Sequence, residues 1–321
     1  MKSISLTQLS YIAAVAKWRN FGKAANACFI SQPTLSMQIQ KLEEELEVIL
    51  FDRSKKPVEL TAIGQKVIEQ TKVVLQEALR IEELIKSVKG EISGSFILGI
   101  IPTLSPYLLP LFLERFTINY PNVKLIVEEL QTHQIIQQLK DDNIDAGILV
   151  TPLHIQGIIE RPIFNEPFLA YLSPNHPLLS LDKLSDKDLS MDDIWLLNEG
   201  HCFREQAIEV CKKIRGHNSQ RKNLVFESGN LETLKRLVDQ KFGYTMLPWL
   251  ATMGIPAAEK KKKIRSFKAP VPIREVSIAH SRSFLKKSII EALHKEIVAS
   301  LPKELKNSKT RERVIEIASF Q

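Results

Sequence analysis

Cys202 and Cys211 stand nine residues apart in the segment Glu199-Gly200-His201-Cys202-Phe203-Arg204-Glu205-Gln206-Ala207-Ile208-Glu209-Val210-Cys211. Its apolar spacing predicts one short amphipathic helix with a thiol at each end. Nine steps of helical rise hold the two Cα atoms about 13 Å apart, whereas a disulfide needs them within roughly 7 Å. A bond between them therefore requires the helix to melt, which would make the pair a chemical switch. The residue types alone support a second reading equally well: two small buried hydrophobes, with Cys211 ending an apolar stripe near Ile208 and Ile214. The third cysteine, Cys28, falls between two short predicted helices and reads as a small buried hydrophobe.

The elements that must carry these thiols belong to an ordinary globular chain of 321 residues, 44% hydrophobic and 25% charged, long enough for two or three domains. No run approaches 18 apolar residues, and Met1 to Leu9 lacks the apolar core of a signal peptide, so a cytoplasmic protein without membrane association is expected. Three cysteines do not make a secreted disulfide framework, and no Cys/His cluster has zinc spacing, so no metal is expected. No GxGxxG, Walker, HExxH or GxSxG pattern occurs, which leaves no basis for a cofactor or an enzyme. The net charge of +7 invites a nucleic-acid reading, but its distribution misleads. Residues 1–60 hold 8 Lys/Arg against 6 Asp/Glu, and residues 257–321 hold 16 against 7, so the middle of the chain is acidic. The Lys260 to Lys263 run reads as a solvated loop.

A nucleic-acid argument must come from a motif, and the first sixty residues contain one. Leu6, Leu9, Ile12, Ala13 and Ala16 recur at helical spacing, the pattern breaks at Arg19-Asn20, and a short helix follows over Phe21 to Ala27. A third helix begins at Ser31, a good N-cap, with Pro33 tolerated in its first turn. Leu35, Ile39, Leu42 and Leu46 form its core stripe. The other face carries Ser31, Gln32, Pro33, Thr34, Ser36, Met37, Gln40 and Lys41, short groups suited to base edges and phosphates in a major groove. Phe51 to Leu60 reads as a basic hairpin whose Arg53, Lys55 and Lys56 would touch phosphates. Together these elements predict a winged helix-turn-helix. The run Ala24-Ala25-Asn26-Ala27-Cys28-Phe29-Ile30-Ser31-Gln32-Pro33-Thr34-Leu35-Ser36, with Ile39, Leu42-Glu43 and Leu46 beyond it, closely resembles the DNA-binding domain of LysR-type transcriptional regulators. That resemblance implies binding to double-stranded promoter DNA.

From Thr61 a helical pattern runs to about Lys89, with Val67, Thr71, Val74, Ala78, Ile81, Ile85 and Val88 at 4-3 spacing. Such a heptad seam predicts a homodimer, hence two recognition helices and a dyad-symmetric operator. Gly90 to Gly94 reads as a hinge. Beyond it strands and helices alternate: strands over Ser95–Ile101, Val123–Glu129 and Ala146–Val150, helices over Tyr107–Asn119 and Gln134–Lys140, predicting a parallel α/β sheet. A second set follows, with strands near Phe168–Ser173, Ile194–Asn198, Leu224–Glu227 and Gly243–Leu247 and helices near Phe203–Ile214 and Leu231–Lys241. Arg274–Ser281 and Lys286–Ser300, a late strand and helix, could return to the first lobe. Two α/β lobes around a cleft resemble periplasmic-binding-protein folds and the LysR effector domain. The expected division is a DNA-binding domain over 1–60, a linker helix over 61–90, a two-lobed regulatory domain over 91–302 and a tail over 303–321.

Within that family, Ile100-Ile101-Pro102-Thr103-Leu104-Ser105-Pro106-Tyr107-Leu108-Leu109-Pro110, Gln131-Thr132-His133-Gln134 and Gly200-His201-Cys202-Phe203-Arg204-Glu205-Gln206-Ala207 with Cys211 are similar to the peroxide-sensing members. The similarity spans the chain up to about Lys303. It implies that Cys202 is the peroxidatic thiol and Cys211 the resolving one, joined in a reversible disulfide. It also implies that Thr103, Thr132, His133, His201 and Arg274 lie near the reactive sulfur as ligands of hydrogen peroxide or supports of the thiolate. A low-pKa thiolate is expected at Cys202 because the helix N-terminus favours negative charge. The same resemblance implies an activator that pairs its dimers into tetramers and engages RNA polymerase. The alternative is a regulator that binds a small metabolite between its lobes. Two segments depart from the pattern, the basic stretch Lys212 to Lys222 and the loop Ser185 to Asp193.

Overall fold

The computed structural model describes residues 4–88, 92–191, 193–211, 229–240, 243–281, 286–306 and 311–316. Residues 90 and 91 of the hinge expected at Gly90–Gly94 lie outside these residues, as do the basic stretch at 212–222, Ile214 and the strand expected at 224–227. The chain divides into two compact units, Met1–Glu91 and Ile92–Gln321.

In the first unit, local capping chemistry sets the helix limits. Helix α1 (Leu6–Trp18) begins with a capping box: Ser5 Oγ accepts from the Gln8 N–H, and Gln8 Oε1 accepts from the Ser5 N–H. It ends where Arg19 turns left-handed, and Asn20 then caps α2 (Phe21–Ala27) by accepting from the Lys23 N–H. Helix α3 (Gln32–Leu46) is capped by Ser31, with Pro33 in its first turn. Leu35, Ile39 and Leu42 bury as the stripe requires, against Ile12, Val15, Ala24, Ala25 and Phe51, while Leu46 is half-buried. Strands β1 (Phe51–Asp52) and β2 (Glu59–Leu60) pair antiparallel as the wing. Cys28 departs from expectation: it caps the C-terminus of α2 and is only half-buried, because the chain turns outward there to reach Ser31.

Helix α4 (Ala62–Val88) starts at Thr61, whose hydroxyl accepts from the Gly64 N–H. Its first turns pack on the unit's own core through Ile68 and Thr71. Farther along, the seam residues Val74, Ile81 and Ile85 are 37%, 63% and 54% exposed. A helix that carries a heptad seam into open solvent has its apolar stripe ready for a second helix.

The second unit is built on β3 (Gly94–Ile100), β4 (Val123–Glu129), β5 (Ala146–Thr151), β6 (Ile158–Leu172), β7 (Lys183–Leu184), β8 (Ile194–Trp195), β9 (Tyr244–Pro248), β10 (Ile264–Phe267), β11 (Val271–Ser281) and β12 (Glu312–Val314). Its helices are α5 (Ser105–Asn119), α6 (Thr132–Lys140), α7 (Cys202–Cys211), α8 (Leu231–Asp239), α9 (Ala257–Lys263), α10 (Lys287–Ser300) and α11 (Lys303–Lys306). Strands β3, β4 and β5 are parallel as expected. The sheet as a whole is mixed, which corrects the expectation of a parallel one: β11 runs antiparallel to both β5 and β6. Strand β6 is 15 residues long and was expected only from Phe168 onward. Glu160, Arg161, Pro162, Asn165, Glu166 and Pro167 hide its first half, since charges and prolines break the apolar signature of a strand.

Two apolar cores flank these long strands. Phe96, Ile100, Leu108, Phe112, Ile135, Ile148 and Leu293 belong to the first, and Phe168, Leu172, Leu197, Val210, Leu234, Tyr244 and Met246 to the second. The late helix α10 packs on α5 and so returns the chain to the first lobe. The stretch after Lys303 is not a detached tail, because β12 extends the sheet beside β11. Among the described residues no helix is long and apolar enough to cross a membrane.

Candidate functional site

Helix α7 runs from Cys202 to Cys211, so the two thiols are its first and last residues, as the spacing predicts. Gly200, at φ +89°, turns the chain into the helix, and the His201 carbonyl accepts from the Arg204 N–H to open it. Phe203 stacks on Phe168 at 5.2 Å, and Arg204 reaches back to the Leu197 carbonyl at 2.7 Å. Both cysteines are free thiols, and each is buried in a different core: Cys202 among the first lobe's residues, Cys211 among the second's.

Around Cys202 the wall is polar. The Thr132 hydroxyl bonds to its sulfur, the Phe203 N–H points to it, and the Arg274 cation acts on it. Arg274 is completely buried and almost fully bonded. Its Nε donates to Glu166 at 2.8 Å, Nη1 donates to Thr103 Oγ1 at 3.0 Å, and Nη2 reaches the Thr103 carbonyl at 3.2 Å. The guanidinium also lies over the Phe203 ring at 5.3 Å. Glu166, equally buried, spends its second oxygen on the Leu250 N–H at 2.7 Å. The expected low-pKa thiolate is corrected here. Burial, with a smaller push from Glu205, raises the Cys202 thiol against the lowering influence of Thr132, Arg274 and Phe203. A sulfur wholly withdrawn from water loses more hydration than a helix terminus and one shared cation restore. In this resting arrangement Cys202 is a thiol whose ionised form already has partners waiting.

The structure brings Thr103, Thr132 and Arg274 together with Cys202, all of them buried. His201 is buried beside them in sequence, and burial lowers its pKa against the pull of Glu129, leaving a neutral ring at neutral pH. His133 is not gathered in: it is exposed, because Thr132 takes the inward position at the start of α6 and the next helical residue turns away.

Cys211 sits in a contrasting wall. Its sulfur lies 3.9 Å from the Tyr244 hydroxyl, which itself donates to the Ser190 carbonyl at 2.8 Å. Burial pushes this thiol up to about 11, Tyr244 opposes, and Asp186 and Asp193 add to the rise.

On the first unit, Ser31, Gln32, Pro33, Thr34, Gln40 and Lys41 are exposed along one face of α3, with Met37 60% exposed among them. Ser36 is half-buried and accepts from Arg53 Nη1 at 3.1 Å. Arg53 also pairs with Glu43 at 2.9 Å and covers the Phe21 ring, so it braces the wing against α3. Lys55 pairs with Glu59 at 2.6 Å and Gln40 with Glu44 at 3.2 Å, contacts that phosphates would have to replace.

Sequence reasoning missed Glu166, Gln206 and Tyr244. Glu166 carried one signal, a carboxylate at the edge of an apolar strand, which stays buried only with a cation. Gln206 carried another, an amide on the apolar face of α7.

Residues 6–65 match the family described as bacterial regulatory helix-turn-helix protein, lysR family, and residues 89–302 match the LysR substrate binding domain. The chain belongs to the LysR family of transcriptional regulators. Among its LysR relatives, the hydrogen peroxide-inducible genes activator of Haemophilus influenzae is 33% identical over 86% of this chain and 90% of its own length. The DNA-binding transcriptional dual regulator OxyR of Escherichia coli K12 is 32% identical over 93% of this chain and 96% of its own. A full-length OxyR variant from Pseudomonas aeruginosa superposes with a TM-score of 0.75 at 34% identity, covering 93% of this chain and 99% of that one. This LysR-family chain thus shares both its DNA-binding and its regulatory halves with those proteins.

Proposed function

We propose that this LysR-family chain is a hydrogen-peroxide-responsive, sequence-specific DNA-binding regulator switched by a reversible Cys202–Cys211 disulfide. The observation that carries the reading is the placement of two free thiols at opposite ends of α7, of which Cys202 has a cation acting on it and Cys211 has acidic neighbours instead. Cys202 loses its proton, and its sulfur attacks one peroxide oxygen. The O–O bond breaks, the sulfur becomes a sulfenic acid, and hydroxide leaves and takes up the proton as water. Cys211 sulfur then attacks the sulfenic sulfur, the S–O bond breaks and a second water leaves. Two thiols and one peroxide give one disulfide and two waters, and a dithiol reductant reverses the change. Arg274 and Thr132 favour the thiolate, Thr103 orients the guanidinium, and His201 lies buried next to Cys202; His133, exposed, could meet peroxide only as it approaches.

Because the disulfide cannot span an intact α7, oxidation unwinds the helix and alters the lobe surface. Residues 1–60 bind DNA, with Ser31, Gln32, Pro33, Thr34, Ser36, Gln40, Lys41, Arg53 and Lys55 facing the groove and backbone. Residues 61–90 pair two chains, residues 91–302 carry the switch, and dimers assemble into cytoplasmic tetramers that activate RNA polymerase at a dyad-symmetric operator.

A peroxide titration of the reduced protein, read by peptide mass spectrometry, tests this. One equivalent should link Cys202 to Cys211 and leave Cys28 untouched. Slow oxidation spread equally over three thiols would return the chain to the metabolite-binding regulators.

A further inference from the structure

The segment after Lys306 touches the thiol helix itself. Strand β12 pairs in parallel with Val271–Ile273 of β11, immediately before Arg274. The Val271 N–H donates to the Arg311 carbonyl at 2.9 Å, and the Ile315 N–H donates to the Ile273 carbonyl at 2.8 Å. Side chains fasten both flanks: Asn165 donates to Glu312 at 2.9 Å, and Arg313 pairs with Asp186 at 3.0 Å. Ile315 is 2% exposed and buries in the same core as Phe203, Ala207, Val210 and Cys211.

One bond joins this segment to the middle of α7. The Gln206 side-chain amide, wholly buried, donates to the Ile315 carbonyl at 2.6 Å. Gln206 stands four residues after Cys202 and five before Cys211, in the middle of the stretch that must open for the two sulfurs to meet. Among the described residues its Oε1 meets no acceptor's complement, a buried carbonyl without a donor. The Gln206 amide is therefore tied to the segment by one hydrogen bond, with Oε1 adding none.

The geometry points to a latch: residues 311–316 hold α7 wound through Gln206 and Ile315, and thereby set the rate at which a Cys202 sulfenic acid condenses with Cys211. This rests on the peroxide reading above. Gln206 and Ile315 are positioning residues that touch neither sulfur's reacting bond. In the step they govern, Cys211 sulfur displaces water from the Cys202 sulfenic sulfur. They act on that step because it alone requires the helix to open. The preceding attack on peroxide uses the Thr132 and Arg274 side of Cys202 with α7 intact, so the latch leaves it alone.

Two variants of the full-length protein test this, Gln206→Leu, which removes the amide, and Ile315→Ala, which shrinks the anchor from the other side. Rapid mixing with peroxide, acid quench and intact mass give the first-order conversion of sulfenic acid to disulfide. The same variants carrying Cys211→Ser give the second-order formation of sulfenic acid alone. The expected result is condensation faster by about fivefold, the rate equivalent of one neutral buried hydrogen bond, with sulfenic acid formation unchanged. Condensation at the parent rate in a folded variant overturns the latch, and so does an equal acceleration of both steps, which marks general loosening. If one variant does not fold, the other decides. A parent protein that forms no sulfenic acid at Cys202 overturns the peroxide reading and the latch with it.

Discussion

The two ends of α7 are chemically unlike although both are buried thiols on one ten-residue helix. At the Cys202 end a hydroxyl, a backbone N–H and a cation oppose the effect of burial, while Glu205 adds to it. At the Cys211 end one tyrosine hydroxyl opposes it, while Asp186 and Asp193 reinforce it. Both sulfurs are buried and both have acidic neighbours; what distinguishes them is the Arg274 cation, which acts on Cys202. Burial opposes a thiolate at both ends, but only at the N-terminal end does a cation work against it, which suits attack on peroxide by the first sulfur and a later entry by the second.

The largest test of this contrast removes its cation. Arg274→Met strips Cys202 of its positive neighbour and leaves Glu166 buried without its cation, bonded only to the Leu250 N–H. Loss of one member of a buried pair costs on the order of 3–5 kcal/mol, which denaturant unfolding would measure, and sulfenic acid formation at fixed pH should slow by about tenfold or more. Unchanged oxidation in a folded variant would assign the asymmetry to the helix terminus alone.

A smaller effect separates the ends by pH. Cys211 ordinarily titrates near 9.0 and is pushed up to about 11 by burial. Between those values the folded thiol stays protonated while the unfolded one ionises, so the unfolded state holds fewer protons and stability falls as pH rises. The contribution is present below pH 9 and lost as pH climbs through about 11, amounting to on the order of 3 kcal/mol. Replacing Cys211 by Ala should flatten that part of an unfolding curve; an unaltered slope would place the titration elsewhere.

The smallest expected effect comes from Tyr244→Phe, which removes the hydroxyl between Cys211 and the Ser190 carbonyl. A loss of about 1 kcal/mol is expected from the missing bond, read by thermal unfolding. The Cys211 end should become still less favourable to a thiolate, so its alkylation rate at pH 9 should fall; a rise would reverse the role given to the tyrosine.

Local pattern made much of this legible. The α3 stripe, the Ser31 cap, the α4 seam and the start of α7 beside Cys202 follow from spacing and capping groups within a few residues of one another. Thr103, Thr132 and Arg274 were marked by resemblance, and the structure gathers them, while His133 turns outward because helix phase at Thr132 decides it. Glu166 escaped notice because its partner is 108 residues away, and Gln206 because its acceptor is 109 residues away.

By itself, then, the sequence determined the helix-turn-helix, the exposed apolar seam of α4 and the placing of one thiol at each end of a helix too long to be bridged intact. Tertiary structure alone decided that the sheet is mixed, that the two thiols lie in separate cores, that Cys202 is raised and not lowered, and that β12 closes on α7. The reason is physical: helical periodicity and capping act over a few residues, whereas desolvation, ion pairing and strand addition depend on which distant segments the folded chain excludes from water together.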